Sequence, residues 1–406
     1  MASSGCILEV YRSINVGGNV MSSFKHLEEL LSGFVQKDIA GCGCVVTHHG
    51  NIVFEGYYGY ADRERNLLMD ENSIHRLFST TKVIICTAAM LLFERGKFLL
   101  NDPLSQYLPE FSEMEVVHTS TSGYAWTKPA QSPILVKDLF AMTSGIPYSD
   151  GQSLTATRLR ELQEELGAEG TYTLEQLVKK IAQAPLLFEP GSNWAYGFSH
   201  DILARLIEVV SGMSIDEFLR KELFEPLGMK DTGYQFSGDQ KSRMVTLYAP
   251  DEQGGIKPIP GRNDVAFEPE SKFYGGGSGL FSTPKDYTQF AKMLANGGKH
   301  EGKRIIGRKT IDLLRANQLT EHQLAQFHNP YSEGYGYGLG VRTLMNIGAS
   351  NGNSSLGEFG WTGMTGTYVV IDPEEQLSIV YMHQRLPNME REHHLRVRNT
   401  VYGCIE

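Results

Sequence analysis

Ser79-Thr80-Thr81-Lys82, running into Val83-Ile84-Ile85-Cys86-Thr87-Ala88-Ala89-Met90-Leu91-Leu92-Phe93, is the stretch on which the reading of this chain turns. The run after Lys82 is apolar on nearly every face, which predicts a helix buried all round. Positions i and i+3 of a helix share a face, so the Lys82 side chain can reach the Ser79 hydroxyl. A serine hydroxyl is a poor nucleophile until a neighbour takes its proton, and a lysine whose pKa is lowered by burial can take it. A lysine at the head of such a helix is costly to bury without a purpose.

Spacing alone decides nothing, because Ser-x-x-Lys occurs at Ser22/Lys25, Ser79/Lys82 and Ser282/Lys285. Ser22 and Lys25 open an amphipathic segment with Phe24, Leu27, Leu30, Leu31, Phe34 and Val35 on one stripe, which predicts a helix capped by Ser22 or Ser23. Ser282-Thr283-Pro284-Lys285 places proline at a first helical position, another capping signature. Ser79 alone leads into a helix without a wet face. On these grounds catalysis and helix capping both stay open for Ser79.

The 406 residues allow two or three domains, and 41% hydrophobic with 21% charged residues describes an ordinary globular chain. A net charge of −10 argues against nucleic acid or an anionic membrane surface as partner. No window approaches the roughly 18 to 20 apolar residues of a membrane span. Met1 to Val10 lacks the basic and apolar regions of a secretory signal, and residues 1–20 read as a disordered tail. Five cysteines are too few and odd in number for a disulfide framework, so a reducing, cytoplasmic setting is expected. Cys42 and Cys44 alternate along a predicted strand as buried thiols.

Gly43–His48 and Ile52–Tyr58, joined by His49-Gly50-Asn51, read as a β-hairpin. Helical patterns dominate from 80 to about 230, including Thr173–Ala184 and His200–Gly212. Residues 235–275 read as surface loops with at most a short strand pair. Strands return at Phe359–Trp361, Thr367–Ile371 and Leu377–Met382, and a weak helix spans Glu390–Tyr402. The expected fold class is α/β plus all-α. An antiparallel sheet domain (21–80 and 270–406), flanked by terminal helices, carries an inserted helical domain (81–269), with a ligand cleft between them.

Two further motifs accompany Ser79: Pro190-Gly191-Ser192-Asn193-Trp194-Ala195-Tyr196-Gly197-Phe198, ahead of the 200–212 helix, and Phe359-Gly360-Trp361-Thr362-Gly363-Met364-Thr365-Gly366-Thr367 on a late strand. In order and placement the three resemble the penicillin-binding-protein and serine β-lactamase superfamily, where Ser-x-x-Lys, Tyr-x-Asn and Lys-Thr-Gly converge on one cleft. Thr143-Ser144-Gly145 and Glu225-Pro226-Leu227-Gly228-Met229 are similar as well, and the resemblance runs from about 22 to 385. Two departures bear on function. Tyr196-Gly197-Phe198 stands where Tyr-x-Asn is usual, and Trp361-Thr362-Gly363 where Lys-Thr-Gly is usual. The cation that would pair with a substrate carboxylate is gone, along with its charge-assisted bonds. Both changes resemble the family VIII carboxylesterases, and the lipase-type Gly-x-Ser-x-Gly elbow is absent.

The resemblance implies that Ser79 attacks an ester carbonyl and is acylated. It implies that Lys82 and Tyr196 share the base and acid work, the Lys82 charge favouring the Tyr196 phenolate. The backbone N–H groups of Ser79 and Met364 would form the oxyanion hole. Trp361, Thr362, Gly363 and Phe198 would line the substrate pocket, with no cofactor. A short- or medium-chain carboxylic ester is the expected small-molecule partner. β-Lactamase, D-amino-acid amidase or peptidase, and acyltransferase activities would use the same residues, and an inactive binding module is the non-enzymatic alternative.

Other candidates read as structural. No His or Cys spacing suggests a metal site, and His48 and His49, if both in a strand, face opposite sides of the sheet. His200 reads as a structural helix-start residue. Glu161, Glu164, Glu165 and Glu169 read as a solvated helix face. Gly275-Gly276-Gly277-Ser278-Gly279 lacks the Lys-Ser/Thr of a phosphate loop.

Overall fold

The computed structural model describes residues 24–261, 264–328 and 332–405. The expected disordered tail at 1–20 and the capping serines Ser22 and Ser23 lie outside the described residues. Helix α1 (Lys25–Lys37) is preceded by Phe24, which makes no side-chain cap; its ring stacks on Phe54 at 5.4 Å.

An eight-stranded antiparallel sheet forms the frame. From one edge it runs Tyr335–Tyr337, Arg342–Leu344, Phe359–Thr362, Tyr368–Asp372, Leu377–His383, then β1 (Gly41–His48), β2 (Asn51–Asp62) and Leu67–Leu68. β1 and β2 are joined by His49 and Gly50, both with positive φ (47° and 78°). That two-residue turn matches the right-handed strand twist. His49 is thus a turn residue, and its ring lies 4.1 Å from that of His48, correcting the opposite-face expectation. Among the described residues no group of His, Cys, Asp or Glu is arranged to hold a metal.

The sheet is covered on both sides, so its late strands are apolar on alternate positions of both faces. Tyr368 and Val370 pack with Leu27, Leu31, Phe34 and Val397 of the two terminal helices, α1 and Glu390–Tyr402. Val369 and Ile371 point the other way, into a core that continues without a break into α2 (Thr81–Glu94) and the helices beyond it. The helix Pro284–Ala295 lies on that face, with Thr283 accepting from the Asp286 N–H and Pro284 at its first position. Gly43 lets it approach: a Cβ there would lie 2.9 Å from Pro284 Cγ.

Every position of α2 from Thr81 to Leu92 is buried, as the sequence predicts. Beyond it, the Ser199–Ser211 helix packs on α2, Leu174–Ile181 packs on Ser199–Ser211, and Leu154–Leu166 packs on Leu174–Ile181. Two details differ from expectation. A β-ribbon, Glu115–Thr119 with Ala125–Pro129, interrupts the predicted helical stretch. The 235–275 segment does hold a strand pair, Leu247–Pro250 with Ile256–Ile259, but it is not all surface, since Tyr248 and Phe267 are buried. No helix among the described residues is long and apolar enough to cross a membrane.

Candidate active site

Ser79 sits in a short 3-10 turn (Phe78–Thr80) that runs directly into α2. The residue before it, Phe78, has φ 45°, a left-handed conformation that a bulky residue adopts only when its surroundings impose it. Those surroundings are identifiable. Thr367 Oγ1 donates to the Leu77 carbonyl at 2.8 Å and lies 3.1 Å from Thr80 Oγ1, while Tyr287 donates to the Thr80 carbonyl at 2.8 Å. The turn carrying Ser79 is thereby locked to the Trp361–Thr367 segment. Gly363 fits in the same seam, where a Cβ would lie 2.4 Å from the Leu77 carbonyl oxygen.

Lys82 is fully buried, with its Nζ 3.3 Å from Ser79 Oγ, 2.9 Å from Tyr148 OH and 2.6 Å from the Gly277 carbonyl. An ammonium has three donors, and here each finds an acceptor. Nζ also lies 4.7 Å from the centre of the Tyr196 ring. The expectation of a lowered pKa is not met. Burial alone pulls Lys82 down, but the phenolic oxygens of Tyr148 and Tyr196 and the carboxylate of Asp201 outweigh it, and the net shift is upward. Lys82 is held as a cation. Its field has the opposite effect on His200, which burial and Lys82 together push down to about 3. That histidine stays neutral and structural, with Nε2 3.2 Å from the Phe140 carbonyl.

Tyr196 is brought to Lys82 by a tight pairing of two loops. Tyr148 N–H donates to the Tyr196 carbonyl at 3.3 Å, and Ala195 N–H to that of Met142 at 3.0 Å. Gly197 permits the approach, because a Cβ there would fall 2.1 Å from the Ile146 carbonyl oxygen. Trp361 stacks on Tyr196 (5.7 Å, 29°) and donates its indole N–H to the Tyr196 hydroxyl at 3.0 Å. So Trp361, expected only to line the pocket, also addresses the hydroxyl expected to handle protons.

These residues open on a cleft of about 600 Å³, within the size of small-ligand sites. Ser79, Tyr196, Phe198, Trp361, Thr362, Gly363 and Met364 all line it, so the residues singled out in the sequence are gathered in one place with Lys82 beneath them. Phe198 faces the cavity and meets the Tyr148 ring edge-on at 4.8 Å.

Several lining residues carried no sequence signal. Tyr148, four positions after Ser144, had none. The glycine run had one, but Gly277 serves as an acceptor for Lys82, not as a phosphate cradle. Glu169 is not part of a solvated face: it lines the cleft, and burial, then Asp201, raises its pKa to about 7. Asp150, Asp201 and Glu390 complete an acidic wall, and none of the described lining residues is Lys, Arg or His.

A serine–lysine–tyrosine site in a cleft between the sheet and the helices defines a serine-reactive enzyme of β-lactamase-like fold. Residues 25–402 match the Beta-lactamase family, and the chain belongs to it. It is 26% identical to Esterase EstB of Burkholderia gladioli over 398 residues, covering 91% of this chain and 92% of that protein. Protein Rv1367c of Mycobacterium tuberculosis is 29% identical over 359 residues, covering 86% and 87%. Among solved structures, EstCE1, described as a hydrolase with promiscuous acyltransferase activity, superposes with a TM-score of 0.80 at 26% identity, covering 94% of this chain and 99% of that one. The chain is a serine hydrolase of the β-lactamase superfamily.

Proposed function

We propose that this protein is a carboxylesterase that cleaves short- or medium-chain esters of uncharged acids through an acyl-enzyme on Ser79. The observation that carries the reading is the Trp361 indole N–H bonded to the Tyr196 hydroxyl, in a cleft lined by four carboxylates (Asp150, Glu169, Asp201 and Glu390) and no base. An anionic substrate finds no Lys, Arg or His among the described lining residues, since Lys82 lies buried beneath them; a neutral ester meets aromatic walls.

In this reading Tyr196 reacts as the phenolate, facing the Lys82 ammonium and accepting from the Trp361 indole N–H, and Ser79 Oγ adds to the ester carbonyl as its proton passes to the Tyr196 oxygen. The carbonyl oxygen, now an oxyanion, takes the backbone N–H groups of Ser79 and Met364. Tyr196 returns the proton to the leaving alcohol. Water then enters by the same route, giving its proton to Tyr196 as it attacks the acyl carbon, and the acid departs with Ser79 reprotonated. The resemblance to esterases over most of both chains supports ester over β-lactam chemistry.

Wild type and Ser79→Ala assayed on p-nitrophenyl butyrate and nitrocefin test this. Ester turnover lost in the variant, with nitrocefin much slower, is the expected result. Comparable nitrocefin turnover would refute the ester preference, and activity independent of Ser79 would refute the mechanism.

A further inference from the structure

The acylation scheme leaves Asp201 unused, although it is a buried carboxylate on the wall of the cleft, in the first turn of the Ser199–Ser211 helix. Its Oδ1 accepts the Gly277 N–H at 2.9 Å, and the Gly276 N–H also bonds the carboxylate. The carbonyl of the same Gly277 receives Lys82 Nζ at 2.6 Å, the shortest of the three Lys82 contacts. Gly275-Gly276-Gly277 is backbone with no side chains of its own to hold it, and glycine has the most conformational freedom to lose. Side chains there would also drive the run away from the helix: a Cβ on Gly276 would lie 2.3 Å from the His200 carbonyl oxygen, and one on Gly277 2.7 Å from Asp201 Oδ2. An external anchor is therefore needed to aim the Gly277 carbonyl, and Asp201 supplies it.

We infer that Asp201 is a positioning residue: by clamping the Gly277 N–H it points the Gly277 carbonyl at Lys82 and so holds the ammonium against Ser79 and Tyr148. This rests on the serine-hydrolase reading above. The groups facing Lys82 are Tyr148 from its loop, Tyr196, His200 and Asp201 around the start of the Ser199–Ser211 helix, and Cys86 on α2. Asp201 is the carboxylate among them, so it also favours the charged form of Lys82.

The test is Asp201→Asn beside wild type, read as kcat and KM for p-nitrophenyl butyrate. An amide keeps one acceptor oxygen but turns an N–H toward the second backbone donor and removes the charge. The expected result is kcat lowered about tenfold or more with KM within about threefold, since small displacements of a catalytic group cost that much. A kcat within twofold of wild type would overturn the inference. So would a loss of kcat matched by a comparable rise in KM, which a general loosening of the cleft would produce. If thermal melting shows Asp201→Asn to be unfolded, Gly277→Ala decides, since its methyl presses on the same clamp without removing charge. A tenfold lower kcat with KM within about threefold is then expected, and wild-type kcat refutes. Wild-type protein that turned over no p-nitrophenyl ester would instead fail the hydrolase reading itself.

Discussion

Trp361→Phe separates two jobs that the tryptophan does at once. Phenylalanine keeps a ring to stack on Tyr196 and to meet Tyr337 edge-on, contacts now at 5.7 and 5.2 Å. It removes the indole N–H that reaches the Tyr196 hydroxyl at 3.0 Å. In the ground state that bond joins neutral groups, and its net worth is about 1 kcal/mol. In the reactive form the Tyr196 oxygen carries negative charge, and a bond to a charged group contributes about 1.5 to 3 kcal/mol. The difference of about 0.5 to 2 kcal/mol, at about 1.4 kcal/mol per tenfold, means the variant should lose roughly 2- to 30-fold in kcat/KM. Steady-state kinetics on p-nitrophenyl butyrate reads the loss, and a melting curve checks that the fold is intact. The loss should fall mainly on kcat, because the bond strengthens only as charge develops. An unchanged or increased kcat/KM with unchanged melting would refute the role assigned to the indole.

Three further outcomes are expected. Trp361→Lys should raise the ratio of activity on half-esters of dicarboxylic acids to that on neutral esters, and an unchanged ratio would sink the charge argument for this cleft. Gly363→Ala should lower the melting temperature and abolish fluorophosphonate labelling of Ser79, since the methyl would strike the Leu77 carbonyl and Thr367 in the seam that locks the nucleophile turn; labelling at the wild-type rate would show that the seam does not govern Ser79. His75 is buried, its Nδ1–H donates to the Ser73 carbonyl at 3.0 Å, and its pKa is lowered by burial to about 3. The unfolded chain therefore binds this proton first, and stability falls by roughly 1.4 kcal/mol per pH unit as pH drops from about 6.5. Buried Glu358, raised to about 7 by desolvation, acts with the opposite sign, so the informative measurement is the difference between wild type and His75→Asn. The variant should show the shallower loss of melting temperature between pH 6.5 and 4, and parallel curves would refute the assignment.

The nucleophile helix was readable because its composition is extreme: no wet face from Thr81 to Leu92 can belong to anything but a buried helix, and Ser79 and Lys82 take their spacing from it. The late strands were readable because they are runs of apolar, β-branched residues bounded by turns, whereas the polar terminal helix Glu390–Tyr402 gave only a weak signal, since the face it buries includes His393, His394 and Arg398. The β-ribbon at 115–129 was not, because short strands with half-exposed faces carry little periodic signal. Glu169 was misread because it follows a helix whose other acids are solvated; exposure there depends on which wall of the cleft the chain turns toward.

By itself the sequence determined the local periodicities, the three motifs and their order, and the replacement of a cation by Trp361. Those are properties of neighbours along the chain. Only the tertiary structure decided that Lys82 keeps its charge, because its three acceptors come from Ser79, the 148 loop and the 277 turn, and a pKa is set by what surrounds a group in space. It likewise decided that Trp361 speaks to Tyr196, and that four carboxylates from four distant segments form one acidic wall. No spacing in the chain encodes such meetings; they exist once the sheet and the helical insert close on each other.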